Sequence, residues 1–97
     1  MHSKMNFSEE QLEEAESMAS LFYSVEDIMI ALEIEHIYQE DFRDIIQYNI
    51  SHPMFKAYQR GRLTSDIQLR TSIKMAALNG SNPAQTAMKD YFNQSKL

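Results

Sequence analysis

Apolar residues recur every three to four positions along most of the chain, in series separated by cap and stop residues. Leu12, Ala15, Met18 (or Ala19) and Phe22 form the first series, the spacing of an amphipathic helix. Ser8 with Gln11 three residues later reads as a capping box, with Phe7 and Leu12 placed to staple across it, so a helix is predicted over about residues 8–23. Ser24 caps a second over 25–32, with Tyr23 and Ile28 placed to staple and Val25, Ile28, Met29 and Leu32 inward. A third covers 37–49, with Tyr38, Phe42, Ile45, Ile46 and Asn49 on one stripe. Ser51-His52-Pro53 stops it, because the residue before a proline is pushed out of the α region. Pro53 suits the first turn of a fourth helix, with His52 beside its start. Nothing interrupts that helix before Leu78 except Gly61. A glycine there costs about 1 kcal/mol relative to alanine and so marks close packing or a bend. Asn79-Gly80 ends it in the left-handed style. Asn82 then caps, and Pro83 begins, a fifth helix that brings Ala84, Ala87, Met88 and Tyr91 or Phe92 back against the fourth. Residues 93–97 are expected to fray.

The fold class predicted is all-α. A helix-turn-helix-like three-helix unit is followed by a long helix and a C-terminal helix that packs back as a hairpin. By residue, 1–7 form an N-terminal tail, 8–50 the helix-turn-helix-like unit and 51–97 the two last helices, in one compact domain overall. The two short helices joined through Glu33-Ile34-Glu35-His36 have the lengths of a helix-turn-helix with the second as reading element. Glu33 stands where that turn often carries glycine.

Composition narrows the class. Two glycines and two prolines in 97 residues are too few for a turn-rich β-fold, and the absence of cysteine removes disulfides, thiolate chemistry and cysteine zinc sites. The longest apolar run, Ile28 to Leu32, is far short of the ~20 residues a bilayer span needs. The first residues lack the apolar core of a signal peptide. A cytoplasmic setting and no membrane contact are expected.

Charge changes the picture more than composition does. The formal net charge of −5 is a sum of unlike halves. Residues 1–50 carry twelve acidic and two basic side chains, net −10; residues 51–97 carry seven basic and two acidic, net +5. Such a split concerns partners, or one half meeting the other.

Enzymatic chemistry fails on inventory, because a nucleophile, a base and an orienting group are not found in any motif spacing. His2, His36 and His52 have no ligand-like spacing, and no glycine-rich phosphate loop occurs. No cofactor or metal is expected. A basic stripe on the fourth helix is the more informative constellation. At 100° per residue, Lys56, Arg60, Arg70 and Lys74 fall within about 40° of one line and span about 27 Å, with Leu63 and Ile67 between them. This stripe is suited to solvent, to phosphate contacts or to an acidic neighbour.

The stretch His52-Pro53-Met54-Phe55-Lys56-Ala57-Tyr58-Gln59-Arg60-Gly61-Arg62, with Ile67-Gln68-Leu69-Arg70 and the run from Met75 through Asn79-Gly80-Ser81-Asn82-Pro83 to Lys89, resembles phage terminase small subunits and related phage helix-turn-helix proteins. Leu21 to Ile34, with Ser24-Val25-Glu26-Asp27-Ile28 opening a helix, is similar to the first half of that motif. The resemblance covers about residues 18–92. It implies a helix-turn-helix that binds double-stranded DNA for packaging, a homo-oligomeric ring, a large packaging-motor subunit as partner, and a bacterial host or prophage origin.

Under that reading Gln39, Arg43 and Gln47 face the groove, while Lys56, Arg60, Arg70 and Lys74 hold phosphates. The reading helix also carries Glu40, Asp41 and Asp44, which phosphates repel, and this moves nucleic-acid contact towards the fourth helix. The competing expectation is an interaction module without nucleic acid, whose acidic half meets the basic half of the next copy head-to-tail.

Overall fold

The computed structural model describes residues 5–95. The regular structure among the described residues is all helical: α1 (Glu9–Ser20), α2 (Val25–Ala31), a 3₁₀ turn (His36–Tyr38), α3 (Gln39–Tyr48), α4 (Pro53–Leu78) and α5 (Asn82–Gln94). They divide into two compact units between Thr64 and Ser65, within α4.

In the first unit the capping box at α1 is complete. The Ser8 hydroxyl oxygen accepts the Gln11 N–H at 3.1 Å, and Gln11 Oε1 accepts the Ser8 N–H at 2.9 Å. At α2 the Ser24 hydroxyl oxygen caps the helix by accepting the Asp27 N–H at 3.1 Å. Both helices then end in the same device. The Tyr23 N–H reaches back to the Met18 carbonyl and Phe22 to Ala19, while Ile34 reaches Met29 and Glu33 reaches Ile30. This is the Schellman pattern, which requires a left-handed residue, usually glycine. Here the position falls to Phe22 (φ 63°) and Glu33 (φ 56°). The first helix is therefore shorter than its apolar series suggests. Phe22 lies outside it, 55% exposed, rather than on its inner face. The third predicted helix likewise begins later, because residues 36–38 take the tighter 3₁₀ form and leave Tyr38 exposed.

Phe42, Ile28, Ile45 and Met54 are the largest fully buried side chains, joined by Ala15, Met29, Leu32 and Ile46. Met5, Phe7, Leu12, Met18, Val25, Ile34 and Tyr58 pack around them. Phe7 meets Phe42 edge to face at a centroid distance of 5.8 Å. The start of α4 thus belongs to the same core as α1–α3, through Met54. Its entry is fixed by His52. The imidazole Nδ1 accepts the Met54 N–H at 3.0 Å, which leaves Nε2–H to donate to the Met5 carbonyl at 2.9 Å. Gly61 marks close packing: a Cβ there would collide with the Glu16 carbonyl oxygen and lie 2.8 Å from Ala19 Cβ.

The second unit is a helical hairpin made by the rest of α4 and α5. Gly80 (φ 95°) closes α4. Ser81, one residue before the expected Asn82, caps α5 by accepting the Ala84 N–H, and Pro83 follows in the first turn. Ala84, Ala87, Met88 and Tyr91 are half-buried while Phe92 is exposed. Among the described residues of this unit, Ala77 alone is buried.

Candidate functional site

The helix-turn-helix-like arrangement places α3 with Phe42, Ile45 and Ile46 inward. Its outer surface then consists of Glu40, Arg43, Asp44, Gln47 and Tyr48, all exposed. Asp41, half-buried, adds a further carboxylate. The seven residues expected to contact DNA are placed differently from one another. Gln39 is half-buried, its side-chain amide donating to the Ile34 carbonyl at 3.5 Å, so it serves the turn. Arg43 Nε pairs with Glu26 Oε2 at 3.1 Å. Gln47 is exposed and lines a shallow groove with Arg43, Tyr58 and Gln59.

On α4, Arg60 donates from Nε and Nη2 to Glu16 Oε1 at 3.0 and 2.9 Å. Lys56 lines a groove with Arg60 and with Glu9, Glu13 and Glu16 of α1. In the hairpin unit Arg70 pairs with Asp66 at 2.9 Å and stacks 4.0 Å above the Tyr91 ring, while Lys74 is exposed. The structure therefore brings Arg43 with Gln47 and Lys56 with Arg60. All three arginines already hold a carboxylate of their own chain. Such exposed pairs contribute only ~0–1 kcal/mol each, so a stronger anion can displace them. They nonetheless lower the positive charge that a phosphate meets.

The Arg43 guanidinium, chiefly through its hydrogen bond, holds the Glu26 carboxyl below its ordinary value of 4.5, helped by Glu26's own backbone N–H. One engaged cation escapes the sequence pattern. Arg62 lies 5.3 Å from the Phe22 ring and 5.7 Å from the Tyr58 ring, and donates to the Tyr58 hydroxyl at 2.9 Å. Its signal was hidden because Phe22 reaches it only by leaving α1 in a left-handed conformation.

Among the described residues, no cluster of three or more His, Asp or Glu is placed to hold a metal, and no helix is long and apolar enough to cross a membrane. His2 lies outside the described residues. His36 is exposed, and His52 is engaged as the α4 cap. What the surface offers is charge and apolar area: Ile30, Ile37, Tyr48 and Ile50 on the acidic unit, and Ile67, Leu69, Met75, Leu78 and Phe92 on the hairpin, are all about half exposed or more. No protein-family model, curated protein or solved structure matches this chain.

Proposed function

We propose that the chain is a non-enzymatic, self-associating adaptor built on a helix-turn-helix scaffold, of the kind that phage terminase small subunits represent. It gathers on double-stranded DNA and presents it to a large packaging-motor subunit in a bacterial cytoplasm. The observation that carries this reading is the pairing in one chain of a helix-turn-helix-like unit with a hairpin that leaves Ile67, Leu69, Met75 and Leu78 about half exposed or more. Units of about 30 residues without disulfides or metals rely on further burial, and a second copy supplies it. With α3 rich in carboxylates, phosphate contact falls to the α4 cations Lys56, Arg60, Arg70 and Lys74, whose exposed arginine pairs a phosphate can displace.

The test is a random duplex titrated across salt, alongside solution mass. The reading expects an oligomer that retains duplex at low salt and releases it steeply as salt rises, by counterion release. A monomer indifferent to duplex at low salt overturns it. The pairing of Arg43, Arg60 and Arg70 within the chain favours a second reading, an assembling module that binds no nucleic acid. An oligomer that ignores duplex selects that one.

A further inference from the structure

Two exposed rows of opposite charge stand one in each unit. In the hairpin, Ile67, Lys74 and Leu78 fall within an arc of about 40° on α4. All three are exposed, Ile67 by 55% and Leu78 by 72%, and Lys74 has no ion pair among the described residues. The row is apolar at its ends and cationic between. In the first unit, Glu40, Asp44 and Tyr48 follow each other at four-residue spacing along α3, within an arc of about 80°. All three are exposed, Tyr48 by 70%, and Ile37, exposed by 72%, stands just before the helix. Carboxylates four apart on one helix face repel each other. Arg43, the cation of α3, is occupied by Glu26 and does not answer them. The described residues up to Thr64 carry twelve acidic and four basic side chains, net −8; those from Ser65 on carry two and three, net +1.

We infer that the α3 row of one copy docks on the hairpin row of the next, with Glu40 and Asp44 against Lys74, and Ile37 and Tyr48 against Ile67 and Leu78. This rests on the self-association proposed above and names the surfaces that make it. Two copies can instead meet like row on like row. Hairpin on hairpin then opposes two Lys74 rows, and α3 on α3 opposes two carboxylate rows. Of these contacts, α3 on hairpin alone pairs unlike charges and covers apolar side chains on both sides at once. In a head-to-tail arrangement a docked pair keeps one free row of each kind, so association continues until the assembly closes.

The test uses the full chain, with mass measured at low (about 0.05 M) and high (about 1 M) salt, where screening lengths differ several-fold. Wild type is expected to associate at low salt and to dissociate at high salt. Glu40→Lys/Asp44→Lys and, separately, Lys74→Glu are each expected to weaken association at least tenfold. Mixing the two variants is expected to restore it, because each then offers the row the other lacks. Zero-length carboxyl-to-amine coupling of the wild type, with isotope-labelled and unlabelled copies mixed, is expected to join Glu40 or Asp44 to Lys74 between copies. This readout does not depend on how well any variant folds.

A Glu40→Lys/Asp44→Lys chain that associates like wild type, or inter-copy coupling that never includes α3, overturns the docking proposal and leaves self-association standing. A wild type that is monomeric at low salt overturns both.

Discussion

Glu33 and Phe22 occupy a backbone conformation that costs an L-residue roughly 1–2 kcal/mol, at the helix ends where glycine is the usual solution. Nothing in the apolar pattern shows this. Periodicity reports which face a residue takes while the helix lasts, not where the chain turns left-handed. Glu33→Gly relieves the strain without removing a side-chain hydrogen bond or ion pair to any of the described residues, and is expected to stabilise by about 0.5–1 kcal/mol after glycine's extra chain entropy is counted. This is readable as a rise of a few degrees in Tm. Phe22→Gly should gain less, because it also deletes a ring that Arg62 faces.

Glu26 gives a pH dependence of known sign. Its carboxyl is held below 4.5 in the folded chain, so its contribution is fully present above that pH and is lost as pH falls through the lower folded value. The stability difference between wild type and Glu26→Gln should therefore shrink on acidification below about 4.5. Denaturant midpoints measured across that range check it, and a constant difference contradicts the pairing with Arg43.

At the scale of the elements, the helices were largely legible and their contacts were not. Gly61 stood out in the sequence as either a bend or a close approach. The structure shows close approach, with α1 at Glu16 and Ala19 lying directly against it. An exposed helical glycine replaced by alanine gains about 1 kcal/mol. Here the added methyl meets backbone that cannot give way, and Gly61→Ala is expected to lose about 2–3 kcal/mol in urea unfolding. A gain would place α1 further from α4 than described.

His52 illustrates the other half of the lesson. Its place beside Pro53 marked a helix start, but its bond to Met5, 47 residues away, has no trace in local pattern. His52→Ala removes a cap and a long-range tie, and should cost about 1–2 kcal/mol. His52→Asn, which still reaches the N–H of the first turn, should cost less.

At the scale of the whole molecule, the division of charge was plain from the sequence, and so was the succession of short helices, long helix and return helix. How that charge is spent was not. The partners of Arg43 and Arg60 lie 17 and 44 residues away, and a stripe computed on one helix treats both arginines as free. Helical spacing alone reads Lys56, Arg60, Arg70 and Lys74 as one row of free cations. It took the fold to show that Arg60 turns to α1 and Arg70 to Asp66 and Tyr91.

The unequal burial of the two units also makes the methionines a chemical clock. Peroxide oxidises a thioether to the sulfoxide at a rate set by access. Met75 is 56% exposed in the hairpin, whereas Met54 is wholly enclosed and Met29 nearly so in the first unit. Peptide mass mapping over time should show Met75 modified first, and Met54 and Met29 only at the slow, shared rate at which their unit opens. Equal rates at Met54 and Met75 would mean that the first unit opens as readily as the hairpin's surface is reached.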